Sequence, residues 1–266
     1  MKRINWKSLI IKLLPHLGAI AVMYLLTAVY FSPICFDNKM LPQGDMLNFK
    51  GVTKEVVEYE KETGITSGWT NSMFSGMPTE ALYVKKPFNI FDTFSVVLRG
   101  GFDYHTAGMM FSYLIGFYIF MLCMGSSAWL ALLGAIAYAF CSYNFIIIDA
   151  GHVTKGYAMA FIAPMLGGVI LAYRKKYLAG FLVTMIFVGI ELAKNHLQIT
   201  YYAGLMILTA VIFRTKNGVK YANYFSPYGA AYVDIDGKAI RTAFKREQYD
   251  EKTIAFLQEV INGWSK

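Results

Sequence analysis

The sequence predicts an all-α polytopic membrane protein with about six transmembrane helices. Two observations carry this prediction: apolar stretches recur at close to the length that crosses a bilayer, and Lys and Arg concentrate in alternate connecting segments. The chain is 56% hydrophobic and only 16% charged, whereas about a quarter of the residues in a soluble domain are charged. A helix needs about 20 mostly apolar residues to cross a hydrocarbon core of ~30 Å.

Six apolar stretches approach this length. They cover residues 9–31, 106–124, 128–148, 157–173, 178–193 and 199–213. The first is longer than the core of a signal peptide, and no small-x-small cleavage site follows it, so we expect a retained helix. Residues 1–220 are therefore predicted to form one transmembrane domain.

The placement of charge predicts the orientation. The net charge is +8, and basic residues precede the first stretch, separate the fourth from the fifth and follow the sixth. They include Lys2, Arg3, Lys7 and Lys12, then Arg174, Lys175 and Lys176, then Arg214, Lys216 and Lys220. This alternation follows the positive-inside rule and places the N-terminus in the cytoplasm. It also argues against a nucleic-acid partner, because the basic residues do not form one surface.

A long outer segment joins the first two stretches, and long loops are usually functional. Amphipathic spacing predicts helices near residues 47–62 and 88–98, each too short or too polar to span the membrane. We therefore expect two interfacial helices. Between them lies a stretch rich in Gly, Ser, Thr and Met at residues 67–78, for which no regular backbone is expected.

Residues 221–266 predict a small ββα extension. Strands are expected at 230–235 and 239–244 around Asp236-Gly237, followed by a helix at 250–264. This order is similar to the end of a thioredoxin-like domain, but no CxxC precedes it, so redox chemistry is not predicted. The three cysteines, Cys35, Cys123 and Cys141, also lack metal-binding spacing.

Ionisable residues at the ends of membrane helices are candidates for function, because charge near the bilayer costs free energy. Asp45 is either a general base or metal ligand, or a solvated loop residue. Asp149, His152 and Lys155 share one short outer loop, which either holds a phosphate and relays a proton or is an ordinary polar turn.

Two more outer segments carry candidates. Glu191 and Asn195 are four residues apart and are expected to share a helix face, beside His196. They either take part in binding or make an interhelical hydrogen bond that only tightens packing. Asp103-Tyr104-His105 precedes the second stretch, and a helix start is the favoured interpretation there.

Five short motifs occur in order along the chain: Gln43-Gly44-Asp45, Lys61-Glu62-Thr63-Gly64, the run from Trp69 to Pro78, Asp149-Ala150-Gly151-His152 and the run from Asn195 to Tyr202. Together they resemble the YfhO family of bacterial membrane proteins, and most closely its Bacteroidetes branch. The resemblance covers about residues 9–213. Family members are much longer, so the chain matches only their N-terminal part, and its tail is foreign to them.

The resemblance implies a glycosyltransferase of the C superfamily in the bacterial inner (cytoplasmic) membrane. Such an enzyme transfers sugar from a polyprenyl-phosphate donor to a cell-envelope acceptor at the outer face. Asp45 occupies the position of the essential acidic residue in the first outer loop, where it either deprotonates the acceptor or holds a divalent metal. The expected substrate-binding residues are Asp149, His152, Lys155, Glu191, Asn195 and His196.

A non-catalytic protein is the alternative: a carrier of lipid-linked sugar, or a truncated and inactive remnant of the family. An active enzyme requires the outer carboxylate and the basic residues to converge at one site, and a remnant does not. Membrane lipid and the lipid-linked sugar are the partners implied, whereas a partner membrane protein is not identified by the sequence.

Overall fold

The computed structural model describes residues 6–83, 89–216, 221–226, 229–234 and 239–242. Its helices are α1 (Trp6–Tyr30), α2 (Ser32–Cys35), α3 (Gly44–Thr63), α4 (Ile90–Leu98), α5 (Ala107–Cys123), α6 (Ala128–Ala139), α7 (Ser142–Ala150), α8 (Val153–Tyr173), α9 (Tyr177–Lys194) and α10 (Leu197–Lys216). Its strands are β1 (Trp69–Thr70), β2 (Met77–Pro78), β3 (Tyr221–Ser226), β4 (Gly229–Asp234) and β5 (Ala239–Thr242). The chain divides into two units, Met1–Ala203 and Gly204–Lys266.

The first unit is that of a helical membrane protein, but with fewer clear spans than the six predicted. Within the described residues, three helices are long and apolar enough to cross a membrane: Ile10–Tyr30 of α1, α8 and α9. A fourth span exists if α6 and α7, which are bent by 53°, count as one. The remaining two predicted stretches form shorter apolar helices, α5 and Leu197–Val211 of α10.

The bend between α6 and α7 is a feature that the predicted single span over residues 128–148 missed. Asn144 is 1% exposed, and its side-chain amide donates to the carbonyl oxygens of Tyr138 at 2.8 Å and Ala139 at 3.3 Å. Asparagine competes with the helix for backbone partners in this way. The amide satisfies carbonyls at the end of α6, so the chain can stop and restart inside an apolar sequence.

The core of the first unit is α5, which is buried along most of its length and packs against α1, α6 and α8. Small residues allow the closest approaches, as expected for membrane helices. A Cβ added at Gly116 would overlap the carbonyl of Ala160 in α8. One added at Gly180 of α9 would lie 2.7 Å from the carbonyl oxygen of Gly168 in α8. The helices therefore meet backbone to backbone.

Both helices predicted in the outer segment are present. α3 ends where Gly64 takes the left-handed conformation, with φ of 74°. α4 begins at an Asn89 cap, whose side chain accepts from the Phe91 N–H at 2.9 Å. The Phe91 ring lies against Gly189 of α9, so this glycine accommodates an aromatic ring rather than another helix backbone.

The second unit contains the end of α10 and an antiparallel sheet in the order β3-β4-β5. The predicted strands at 230–235 and 239–244 correspond to β4 and β5, whereas no strand was predicted at 221–226. The pairing of β3 with β4 runs from Tyr221 opposite Asp234 to Ser226 opposite Gly229. The register of β4 with β5 shifts between Tyr232 and Val233, where β5 contains one extra residue, Ile240. The predicted helix at 250–264 lies outside the described residues.

Candidate functional site

The start of α3 lies directly against the turn between α7 and α8. Gly151 ends α7 with φ of 84°, and a Cβ added there would come within 2.8 Å of the Gln43 Cβ and 3.1 Å of the Met46 side chain. Gln43 is 4% exposed, and its amide donates to the carbonyl oxygens of Ile148 at 2.5 Å and His105 at 3.1 Å. A glycine and a buried amide thus fix where α3 begins.

This contact brings Asp45 to His152. Asp45 is in the first turn of α3, and His152 immediately precedes α8. The His152 Nδ1 and Asp45 Oδ2 atoms are 2.6 Å apart, and their side chains are 43% and 51% exposed. A carboxylate only accepts hydrogen bonds, so Nδ1–H is the donor and Nε2 of the neutral ring remains a proton acceptor. The pair is therefore a solvent-accessible carboxylate–imidazole couple.

Two further cationic or imidazole groups lie near this couple. The pKa of His196 is lowered, first by burial and then by the positive charges of Lys155 and His152. The ammonium of Lys155 also lies 5.5 Å from the centre of the Tyr143 ring. The His196 Nε2 atom is buried and has no hydrogen-bond partner within the described part of the chain. Lys155 and His152 at the start of α8 are thus close enough to His196, after the end of α9, to affect its charge, and His152 contacts Asp45.

Glu191 lies apart from solvent at the end of α9. It is 1% exposed, and its Oε1 atom accepts a long hydrogen bond, 3.4 Å, from the Thr200 hydroxyl. Its Oε2 atom is buried without a hydrogen-bond partner among the residues that the structure describes. The predicted shared face with Asn195 is not formed, because α9 ends at Lys194 and Asn195 turns to φ of 56°.

The other two candidates contribute little to the couple. Asn195 is exposed, and its backbone N–H bonds to the Leu192 carbonyl as a helix cap. Asp149 is exposed in the last turn of α7. Asp103 caps α5, as expected: its carboxylate accepts from the backbone N–H groups of His105, Thr106 and Ala107 at 2.7–2.9 Å.

A buried ion pair that the sequence analysis missed holds α4 on α9. The Lys194 Nζ atom lies 3.1 Å from Asp92 Oδ1, and the side chains are 5% and 39% exposed. The ammonium also lies 5.8 Å and 5.3 Å from the ring centres of Tyr104 and Tyr157. The signal for this pair was an aspartate inside the apolar sequence of α4, which had been assigned to the membrane surface.

A carboxylate of α3 also organises the Gly-rich stretch. Glu55 Oε2 accepts from the Thr70 hydroxyl at 2.7 Å, the Asn71 N–H at 2.9 Å and the Ser72 hydroxyl at 2.9 Å. These hydrogen bonds, the largest of them from Thr70, lower the pKa of Glu55. The stretch therefore has a defined attachment to the same helix that carries Asp45.

The described residues contain no group of three or more His, Cys, Asp or Glu side chains that could hold a metal ion. Asp45 and His152 supply two ligand types at most.

Comparison with known proteins adds no relative. No protein-family model, curated protein or solved structure matches this chain. The resemblance to the YfhO family thus stays a prediction, and it rests on the quoted motifs. Three of those motifs, which contain Asp45, His152 and His196, are brought to one region although they are far apart in the sequence.

Proposed function

We propose that the chain is a membrane glycosyltransferase-like protein that transfers a sugar from a polyprenyl-phosphate donor to an acceptor hydroxyl on the outer face of the bacterial inner membrane. The observation that carries the proposal is the 2.6 Å contact between Asp45 and His152 beside the start of a long apolar helix. A base at the end of a membrane helix can contact both the phosphate of a membrane lipid and an acceptor that is dissolved in water.

The couple supports a division of labour. His152 Nε2 removes the proton of the acceptor hydroxyl, while Asp45 holds the ring through Nδ1 and stabilises the imidazolium that forms. The acceptor oxygen then bonds to the anomeric carbon as the bond from that carbon to the phosphate oxygen breaks. The electron pair departs with the polyprenyl phosphate, whose charge the Lys155 ammonium stabilises, and a neutral His196 can donate a ring N–H to a phosphate oxygen.

An assay with labelled lipid-linked sugar and membranes that carry each variant tests this. Asp45→Asn and His152→Gln should each lower transfer ~10²–10⁴-fold, the usual cost of losing general-base catalysis. The double variant should lose little more than either single one, because the two groups act as one unit. Glu58→Gln is the matched control, since Glu58 is exposed on the same helix and pairs only loosely with Lys54 at 3.8 Å.

Unchanged turnover in both single variants would remove the couple from the mechanism. Additive losses would mean that the carboxylate and the imidazole act separately. Absence of turnover in the unaltered chain, despite correct insertion, would favour the non-catalytic carrier or remnant.

The proposal includes the orientation, with the N-terminus in the cytoplasm and the couple outside. It is supported by the basic turn between α8 and α9, which lies at the opposite end of α8 from His152. In a cysteine-free background, a cysteine at Glu62 should react with an impermeant maleimide in intact cells, and one at Lys176 should be protected. The reverse pattern would invert the topology and place the couple in the cytoplasm, away from the proposed donor.

A further inference from the structure

The turn between α8 and α9 presents three consecutive basic residues at one membrane surface. The three residues differ in their contacts and in their backbone conformation. The Arg174 guanidinium donates to the Cys123 carbonyl at 3.2 Å, and Lys176 immediately precedes α9 without a side-chain capping hydrogen bond. Lys175 takes the left-handed conformation, with φ of 63°, which residues other than glycine seldom adopt. Its side chain lines a groove between the two helices.

The groove is open to the surroundings, has a volume of about 640 Å³ and has a mainly apolar lining. Lys175 and two tyrosines, Tyr173 and Tyr177, are the lining residues in or beside the turn. The other lining residues are Val169, Ala172, Gly180, Phe181 and Thr184. Seven residues of α9 separate Tyr177 from Thr184, so the groove runs roughly 10 Å along the helices at 1.5 Å per residue.

The wall of the groove is rigid where the helices touch. A Cβ added at Gly180 would lie 2.6 Å from the Ala172 backbone nitrogen and 2.7 Å from the Gly168 carbonyl oxygen. One added at Gly168 would lie 2.6 Å from the Thr184 nitrogen. Because backbone contacts of this kind cannot be closed further, the space beside them is a permanent feature of the α8–α9 hairpin.

We propose that this groove binds one anionic phospholipid, with its phosphate at Lys175 and one acyl chain along the apolar wall. Basic pockets between membrane helices recognise acidic headgroups, and tyrosines favour the headgroup level. The apolar lining beside Lys175 offers a place for an acyl chain, which a diffuse attraction of charge to the surface would not require. The occupant is a lipid because both helices are long enough to lie in the bilayer.

This site is distinct from the proposed transfer site. His152 precedes the first residue of α8 and Tyr173 is its last, and α8 has 21 residues, or about 30 Å of helix. The lipid would therefore occupy the opposite surface of the membrane from the Asp45–His152 couple. Its binding does not depend on whether the chain transfers sugar.

Native mass spectrometry of the full chain in an uncharged detergent tests the proposal. Phosphatidylglycerol and phosphatidylcholine are titrated separately, and the dissociation constant of the first bound lipid is measured. The unaltered chain should prefer phosphatidylglycerol. Lys175→Gln should weaken that preference about fivefold, which corresponds to ~1 kcal/mol for one basic residue at an acidic lipid surface.

Lys176→Gln is the matched control, because it removes the same charge one residue away and should change the preference less than twofold. Val169→Phe should fill the groove and weaken phosphatidylglycerol binding while Lys175 is intact. Phe181→Ala provides a second change of the wall if the first variant fails to fold, and it should also weaken binding.

Three results would overturn the proposal. Equal losses in the Lys175 and Lys176 variants would show only diffuse attraction to the turn. Unchanged binding in folded Val169→Phe and Phe181→Ala variants would show that no acyl chain lies in the groove. Displacement of the lipid by glycerol phosphate at similar concentration would show a site for a free anion.

Discussion

A substitution at Gly151 should move Asp45 away from His152 without changing either of these two residues. Replacing it with alanine adds one methyl group at φ of 84°, directed at Gln43 and Met46 at the start of α3. Helix α3 must then move away from the turn between α7 and α8. Because Asp45 lies in the first turn of α3, we expect the contact with His152 to lengthen.

The magnitude has two parts. A residue with a Cβ in the left-handed region costs ~1–2 kcal/mol. The new methyl would lie 2.8 Å from the Gln43 Cβ, whereas carbon atoms pack best at about 3.5–4.0 Å, so a shift of roughly 1 Å is needed. Overpacking of this kind costs about 1–3 kcal/mol. A displacement of ~1 Å at a catalytic group can lower a rate about 10²-fold.

Gly64→Ala is the matched control. Gly64 has φ of 74° at the other end of the same helix, but a Cβ there would meet no atom within 4 Å. Gly64→Ala should therefore lose only the free energy that a Cβ costs in the left-handed conformation, and it should retain normal sugar transfer. Both variants are compared by thermal unfolding in detergent and by the transfer assay.

Gly151→Ala must be less stable than Gly64→Ala and must lose far more transfer. If the two variants unfold at the same temperature and turn over equally, then α3 does not rest on Gly151, and the Asp45–His152 contact has another cause.

Two further predictions concern the contacts around the site. Glu55→Gln should release the stretch at residues 69–78, seen as faster exchange of the Asn71 amide proton in NMR spectra. Because its folded pKa is lowered, the stabilisation from Glu55 is complete above the pKa of about 4.3 of an unfolded glutamate and fades as pH falls through the lower folded value. The exchange rate is therefore divided by the intrinsic rate at each pH, and an Asn71 protection factor that stays constant over this range would contradict the contact. Lys194→Met should leave Asp92 without its ammonium partner and lower the free energy of unfolding by about 1–3 kcal/mol, measured by denaturant titration. Adding Asp92→Asn should recover part of that loss. If the second substitution recovers nothing, then packing rather than charge holds α4 against α9.

The apolar stretches were predictable because membrane helices have a distinctive composition and length. Their interruptions were harder to predict. The break after Ala139 depends on which backbone carbonyls the Asn144 side-chain amide contacts. The sequence does not specify those carbonyls for an asparagine inside an apolar stretch. Likewise Phe91 and Gly189 meet only in three dimensions, and β3 follows a helix whose end the sequence did not mark.

The residues of the candidate site were predictable from the sequence, but the contact between Asp45 and His152 was not. The alternation of basic residues predicts that Asp45, His152 and His196 lie on the outer side, and all three flank apolar stretches. Which imidazole contacts the carboxylate depends on Gln43 and on the approach at Gly151, which are long-range contacts. Local spacing also suggested a Glu191–Asn195 face, which fails because the helix ends one residue too early.

The hydrogen bond from Gln43 to Ile148 can form only late in the synthesis of the chain. The two residues are separated by 105 positions, and bacterial or eukaryotic chains emerge at ~5–20 residues per second. Helix α3 is therefore outside the ribosome for about 5–20 s before the segment that receives it exists. During that interval Asp45 is an ordinary solvated aspartate. A nascent chain arrested before residue 148 should thus leave α3 open to protease, and one extended past α8 should protect it.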